Sequence, residues 1–241
     1  MIYCAKSSIG MIRQNNQDAF HIPHGDDGIN LFIVADGMGG TNGGEIASSL
    51  AICSICSYFK DKFNKDGDIP SMMRSAIEAA NRAIYRTGRV REEYNRMGTT
   101  VTMALIIDSL VYVAHVGDSR AYILNKNKMR QITVDHSYVQ ELVNAGEITL
   151  QEAKSHPDRH KITRAVGING FVSVDVFIEP IQSGDCLLIC SDGLTTMLDD
   201  EIIFNTIINE QVFHNAASSL VSKAEQAGGY DNITVVLVNK D

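Results

Sequence analysis

The sequence predicts an α+β fold in which helices cover the outer faces of antiparallel sheets, and three observations indicate this class. The predicted elements are grouped: strands, two helices, strands, short helices, strands, two helices and a last strand. A doubly wound parallel sheet would instead alternate strand and helix. The middle of the chain holds short apolar runs with tight connections, the pattern of antiparallel pairs. The chain has 241 residues, 44% of them apolar, which allows a sizeable core.

The first half of the chain supplies three strands and two helices. We predict strands over residues 2–8, 19–22 and 31–36, with a polar hairpin-like loop over 24–30. A broad apolar face predicts a helix over 43–59. Pro70 fits the first turn of a second helix, and its apolar stripe fades in the charged stretch 86–96.

The second half begins with four short strands, which we interpret as a meander of antiparallel pairs. The predicted elements in order are strands 100–107, 110–116, 120–124 and 129–132, a helix over 136–145, a capped turn at Thr149–Glu152, a loop over 155–161, strands 172–178 and 185–190, helices 199–209 and 215–227, and a strand over 233–238. Neither a repeat nor a linker interrupts them, so we predict a single domain over residues 1–241.

The strand that ends at Asp36 is the most informative segment. Its continuous apolar run predicts a buried strand. Glycines follow Asp36 at once, so the backbone can turn sharply there and approach a ligand closely. A carboxylate beside bare backbone favours a hard cation that takes oxygen ligands.

Three other aspartates, Asp118, Asp192 and Asp231, lie in the same setting, beside glycine at the end of a strongly apolar strand. Any one of them is better explained as an ordinary turn residue, because Asp-Gly is common turn chemistry. Four such aspartates together favour a shared carboxylate site.

Composition disfavours several other classes of protein. The net charge is −8 and there is no basic stripe, which argues against nucleic acid as a partner. No apolar stretch approaches the roughly 20 residues that span a bilayer, and we find no signal-peptide pattern, so we expect a cytoplasmic protein. The five cysteines fit small core residues in a reducing compartment, and none opens a Cys-x5-Arg phosphate loop.

Nine short motifs, in one order along nearly the full length, resemble the metal-dependent protein phosphatase family, protein phosphatase 2C, in its bacterial branch. They are RQNNQD (13–18), VADGMGG (34–40), GGEIAS (43–48), MGTT (97–100), VGDSRAY (116–122), DHS (135–137), ITRAVG (162–167), SDGL (191–194) and GYDNIT (229–234). Any one motif alone is unspecific, but all nine in the family's order leave little room for chance.

The resemblance implies a four-layer α-β-β-α sandwich that hydrolyses phosphoserine and phosphothreonine in proteins at a binuclear metal centre. By the family pattern, Asp36 bridges two metals, the Gly37 carbonyl contributes, Asp192 and Asp231 complete the first ion, and Asp18 holds the second largely through water. Asp118, with Asp192, would hold a weaker third ion. Arg13 would bind the substrate phosphate, and residues 144–160 would form a flap. Asp36, Asp192 and Asp231 are thus the candidate catalytic residues.

The chemistry agrees with those roles. Oxygen ligands favour Mg²⁺ or Mn²⁺ over zinc. Two such ions can lower the pKa of a water between them and give hydroxide near neutral pH, so no protein nucleophile is needed. Arg13 can offer a planar fork to two phosphate oxygens. Alternatives stay open: Arg13 as a surface charge and Asp118 as a turn residue.

The proton donor to the leaving serine oxygen is not identified by the sequence. Eukaryotic relatives carry a His where this chain has Met38, and many bacterial relatives carry one where it has Thr41. A metal-bound water could serve instead. We interpret His136 as a helix-start residue, and His156 and His160 as solvated loop residues.

The resemblance also implies partners. We expect phosphorylated protein substrates, an opposing serine/threonine kinase, no membrane insertion and a monomer. One alternative is a stress- or sporulation-type phosphatase with a single dedicated regulatory substrate. Another is a catalytically silent binding module of the same fold, although all five candidate aspartates are present.

Overall fold

Eleven strands build two antiparallel sheets in the computed structural model, which describes residues 1–23, 28–90 and 92–240. The strands are β1 (Ile2–Ser8), β2 (Asp18–His21), β3 (Leu31–Met38), β4 (Gly98–Thr99), β5 (Val101–Ile107), β6 (Leu110–Val116), β7 (Arg120–Leu124), β8 (Met129–Gln131), β9 (Asp175–Pro180), β10 (Cys186–Cys190) and β11 (Ile233–Asn239). Part of the predicted loop over 24–30, residues 24–27, lies outside the described residues.

One sheet has the order β1-β11-β10-β7-β8, and the other has the order β2-β3-β5-β6-β9 with β4 paired to β3. Every pairing is antiparallel. Buried residues of the two sheets meet in a shared core that includes Phe32, Val113, Leu187 and Val236. The sheets therefore pack face to face, as expected from the alternation of their side chains.

Helices cover both outer faces and complete the four-layer sandwich predicted from the sequence. The helices are α1 (Gly40–Lys62), α2 (Ile69–Val90), α3 (Tyr138–Asn144), α4 (Leu150–Ser155), α5 (Asp192–Thr195), α6 (Asp200–Asn209) and α7 (Phe213–Gln226), with a short 3-10 helix at Glu92–Tyr94. Apolar residues of α1 and α2, such as Ile55 and Ile77, pack on one sheet. Residues of α6 and α7, such as Ile203 and Leu220, pack on the other.

Strand β3 continues beyond the predicted end at Asp36. Gly37 and Met38 pair with Thr99 and Gly98 of β4, so the glycine after Asp36 belongs to the sheet and not to a turn. Gly37 is required for a different reason. A side chain there would collide with the carbonyl oxygens of Gly44 and Gln17, because the start of α1 crosses β3 at backbone contact.

The predicted meander over residues 100–132 was wrong as a single sheet. Strands β5 and β6 pair in one sheet, whereas β7 and β8 pair in the other. The chain changes sheets at Gly117, whose φ of 116° is a conformation that favours glycine. This crossing places Asp118 between the two sheets.

Several predicted element bounds moved. The strand expected over 172–178 is β9, Asp175–Pro180, and the helix expected to begin at residue 136 begins at Tyr138, capped by Ser137. The capping box at Thr149 and Glu152 is present as predicted. No helix in the described part of the chain is both long and apolar enough to cross a membrane.

Candidate metal centre

The main chain at Asp36 is fixed by two threonines of the neighbouring segment. The Asp36 amide donates to Thr100 Oγ1 at 2.9 Å, and Thr99 Oγ1 donates to the Asp36 carbonyl at 2.9 Å. The Thr100 amide also donates to the Asp36 carbonyl at 2.8 Å. These bonds fix the amide and the carbonyl of Asp36, whose side chain lines the cavity.

Asp18 lies opposite Asp36 in the register of β2 and β3. Ser191, at the end of β10 in the other sheet, donates its hydroxyl to Asp18 Oδ2 at 2.7 Å. Asp18 Oδ1 is buried and has no hydrogen-bond partner among the described residues. A buried carboxylate oxygen without a partner is costly, so this atom is placed where a cation would be favourable.

Asp192 follows Ser191 as the first residue of α5, and its carboxyl lies within hydrogen-bonding reach of Asp36. Two carboxylates this close repel unless a proton or a cation lies between them. Asp118 reaches the same cavity from the turn after β6. Asp36, Asp118 and Asp192, which lie near the ends of strands of the two sheets, therefore line the same cavity.

Asp231 completes the predicted set and is bound to Arg13. The guanidinium Nη2 donates to Asp231 Oδ2 at 2.7 Å, while the side chains of Arg13 and Asp231 remain 53% and 37% exposed. The other carboxylate oxygen of Asp231 accepts the amide of Asn232 at 2.8 Å. Arg13 is thus held at the rim, where an exposed ion pair gains little and can yield to a phosphate.

Asn232 is a positioning residue to which sequence reasoning assigned no role. Its Oδ1 accepts the amide of Gln17 at 2.8 Å, and its Nδ2 donates to the carbonyls of Ile9 and Asn15, each at 3.0 Å. It is only 5% exposed. One buried amide therefore ties the segment that carries Arg13 to the start of β11. The signal was its place in the GYDNIT motif, whose apolar neighbours predict burial.

Five of the six predicted metal ligands, together with Arg13, line one cavity of about 720 Å³. The sixth, Asp18, is not among the lining residues and accepts the hydroxyl of Ser191. The cavity is lined by Arg13, Gln14, Asn15, Gln17, Asp36, Gly37, Met38, Gly39, Thr100, Asp118, His160, Ile162, Asp192, Tyr230, Asp231 and Asn232.

Burial, and after it repulsion between neighbouring aspartates, raises the pKa values of the clustered carboxyls. Burial, together with the charges of neighbouring aspartates, raises the pKa of Asp18 to about 7 and that of Asp118 to about 8. The same causes raise the pKa of Asp36 well above its ordinary value, and burial raises that of Asp192. Such a cluster favours positive charge and is a functional-site signature.

The donor set fits a hard divalent cation, since it consists of oxygen atoms. Taken alone, no three acidic, histidine or cysteine side chains in residues 1–23, 28–90 and 92–240 are arranged to hold an ion. An ion would need the Gly37 carbonyl, water, or release of Asp231 from Arg13 to complete its ligands. Water-rich coordination of this kind is typical of Mg²⁺.

His136 was wrongly interpreted as a helix-start residue, because it precedes α3 and is buried. Its Nδ1 accepts the amide of Gly117 at 3.0 Å, and its amide donates to the Gly117 carbonyl at 2.7 Å. The Nε2 hydrogen is then directed to Asp175 Oδ2, 3.0 Å away. His136 therefore fixes the turn that presents Asp118.

The two loop histidines lie in different places. His156 is half-buried, with its ring beside that of Tyr138 at 6.1 Å between centroids. His160 is exposed but lines the cavity with Asp118 and Asp192. The interpretation of His160 as a merely solvated residue therefore misses its position beside the carboxylates.

Comparison with known proteins identifies the relatives of this fold and sequence. Residues 12–234 match the family described as "Protein phosphatase 2C". The chain is 38% identical to the serine/threonine phosphatase stp of Listeria monocytogenes over 96% of this chain and 93% of that protein.

Solved structures show the same architecture. The serine/threonine phosphatase Stp1 from Staphylococcus aureus aligns with a TM-score of 0.94 at 34% identity, over 99% of this chain and 94% of that chain. The catalytic domain of the serine/threonine protein phosphatase PstP, in complex with two manganese ions, aligns with a TM-score of 0.88 at 34% identity, over 100% of this chain and 98% of that chain.

Proposed function

The chain belongs to the protein phosphatase 2C family and is a serine/threonine protein phosphatase, and we propose that it works as a single catalytic domain with two core divalent ions and a weaker third. The single observation that carries the proposal is the buried carboxylate cluster of Asp18, Asp36 and Asp192. Its oxygen atoms repel one another, and Asp18 Oδ1 lacks a partner in the described residues. Burying such a cluster costs free energy unless the carboxylates bind a cation.

Within this proposal the protein residues divide the work. Asp36 would hold both core ions and the Gly37 carbonyl would contribute, with Asp192 and Asp231 on the first ion and Asp18 on the second through water. Mn²⁺ or Mg²⁺ bound there would lower the pKa of a water molecule and offset the charge of the phosphoryl group. Asp118 with Asp192 would hold the third ion. The backbone bonds to Thr99 and Thr100 keep Asp36 in place as charge changes around it.

Arg13 would bind the phosphate. Its guanidinium already lies at the cavity rim, where Nη2 donates to Asp231. A planar fork can offer two parallel N–H bonds to phosphate oxygens. Moving from Asp231 to the substrate would exchange an exposed ion pair for a charge-assisted hydrogen bond and would free a carboxylate oxygen for a metal ion.

We further propose phosphorylated proteins as substrates, an opposing serine/threonine kinase, a cytoplasmic location and a monomeric state. The exposed cavity beside the flap residues supports a protein substrate, because an extended phosphopeptide can enter from solvent. The fold alone does not choose the kinase.

Hydrolysis of a phosphoserine peptide with and without Mn²⁺ tests the proposal. We expect activity that requires added metal and is lost in excess EDTA. Iodoacetamide should leave activity intact, because Cys4, Cys186 and Cys190 are buried, Cys53 and Cys56 lie on α1, and none of the five lines the cavity. A metal-loaded protein without hydrolysis would indicate the silent binding module instead.

A further inference from the structure

The residues to which the proposed function gives a role would bind phosphate and metal, but none of them would supply a proton to the leaving oxygen. When the phosphorus–oxygen bond to serine breaks, the electron pair stays on serine Oγ, which is strongly basic and gains from a positioned acid. Met38 lines the cavity near Asp36 and has no proton to give. Arg13 is a poor acid, because the bond to Asp231 raises its already high pKa.

His160 is the imidazole at this cavity. Among the described lining residues, no other side chain is a histidine. His160 also lines two adjoining cavities, one with Tyr230 and Arg159 and one with Asp118 and Asp135. It is exposed and therefore lies where three adjoining cavities open beside the flap.

The main chain just after His160 is anchored to the body of the protein. The Lys161 carbonyl accepts the amide of Tyr138 at 2.8 Å, and Ile162 forms an antiparallel bridge with Ser137. On the other side, the Lys161 amide donates to the Asp158 carbonyl at 3.0 Å. The backbone at His160 is thus held between Asp158 of the flap and the start of α3.

The side chains around His160 are acidic across the cavities and basic on the flap. Asp118 and Asp192 face it across the cavity, Asp231 and Tyr230 across the adjoining one, and Arg159 and Lys154 lie on the flap. An incoming phosphate adds further negative charge beside the ring.

We infer that His160 is the general acid for the leaving serine or threonine oxygen. The water oxygen joins phosphorus, the bond from phosphorus to the side-chain oxygen breaks, and the imidazolium N–H proton passes to that oxygen. The products are inorganic phosphate, the free hydroxyl and a neutral imidazole, which solvent protonates again. This inference rests on the proposed function and adds a catalytic residue to it.

The test compares leaving groups in a His160→Asn variant. A positioned acid contributes about 10²–10⁴-fold, so we expect kcat for a phosphoserine peptide to fall at least about 100-fold. The loss with p-nitrophenyl phosphate should be at least about ten-fold smaller, because p-nitrophenolate is a weak base and leaves without a proton. His156→Asn, on the same flap but outside the cavity lining, is the matched control and should affect the two substrates equally and weakly.

Three outcomes overturn the inference. Equal losses with both leaving groups would mean that His160 only shapes the flap. A weaker affinity for Mn²⁺ in His160→Asn would assign His160 to the metal ligands. A lowered melting temperature in both His160→Asn and the second variant, His160→Gln, would assign it a structural role. A wild-type protein that hydrolyses neither compound in Mn²⁺ would instead refute the proposed function itself.

Discussion

Asp18 and Asp36 are register partners on neighbouring antiparallel strands, β2 and β3. Like charges directly opposite each other destabilise a strand pair. Burial raises the pKa of both carboxyls, and the charge of Asp18 is the next cause of the rise at Asp36. The strand pair therefore gives up stability at this point unless a proton or a cation compensates the charge.

The metal-free protein is expected to lose stability as the pH rises through neutrality. The folded-state pKa is raised from 3.8 to about 7 at Asp18 and to about 8 at Asp118. A raised pKa means that the folded state keeps its proton longer than the unfolded state. This contribution to the free energy of unfolding is full below the unfolded pKa and is lost as the pH passes the folded values.

Melting temperature in EDTA, followed across that pH range, measures this loss. Added Mn²⁺ should restore the melting temperature most strongly at the alkaline end, because binding to the folded state stabilises it. Asp118→Asn should reduce the fall in melting temperature at the alkaline end of the pH range. A melting temperature that stays constant, or rises, would show that the carboxyls are not held apart from water.

Arg13→Ala should raise KM for a phosphopeptide about 10-fold or more, because a hydrogen bond to a charged group contributes about 1.5–3 kcal/mol. Arg13→Lys should recover only part of this, since it keeps the charge and loses the fork. Melting temperature should stay nearly constant, because the Arg13–Asp231 pair is exposed.

Arg130→Ala is the control for the loss of an arginine, since Arg130 is also about half exposed and pairs with Glu179. Its KM should match that of the wild type. An unchanged KM in Arg13→Ala would assign Arg13 to the surface ion pair alone.

Asp36→Ala and Asp118→Ala should differ in the number of ions bound. Asp36 reaches Asp192 and shares the strand register with Asp18, so its loss should abolish the core pair and essentially all activity. Asp118 should affect only the weaker third ion. Crystals soaked in Mn²⁺ should show two ions in Asp118→Ala and three in the wild type, with activity severely reduced at low Mn²⁺. A third ion in its usual place with normal turnover would leave Asp118 as a turn residue.

Asn232→Ala should lower both stability and substrate affinity. It leaves the Gln17 amide and the carbonyls of Ile9 and Asn15 without their partner, and each unsatisfied buried group costs about 1–3 kcal/mol. The segment that carries Arg13 is then less fixed, so KM should rise along with the drop in melting temperature. Asn125→Ala, which removes a side-chain acceptor from an exposed turn, is the control. If Asn232→Ala lowers the melting temperature but leaves KM unchanged, the hydrogen bonds of Asn232 contribute to stability and not to phosphate binding.

The sequence was sufficient to predict the layered architecture and the clustered aspartates, because both depend on local sequence pattern. Apolar runs located nearly every strand, and the motifs singled out aspartates that the structure gathers around one cavity. What the pattern could not specify was which strand pairs with which. Gly117 resembled a hairpin glycine, yet it moves the chain between sheets, and no property of residues 100–132 alone encodes the partner β10.

Side-chain roles that depend on distant partners were also beyond the sequence. His136 fixes the Gly117 turn through a hydrogen bond between residues 19 apart. Asp199 lies at the N-cap position of α6, but its carboxylate makes no cap bond and instead pairs with Lys154 of α4 at 2.8 Å. In both cases the local propensity was compatible with several partners, and tertiary packing selected one.

The short strand β2 has a consequence for how the protein matures. It has four residues, lies at the edge of its sheet, and reaches Ser191 of the other sheet through Asp18. A slip of one residue along β3 would turn Asp18 to the opposite face and away from Ser191. A chain in which β2 has paired one residue out of register with β3 could therefore keep every layer of the sandwich and still be inactive. Catalytic activity thus depends on the register of this edge strand.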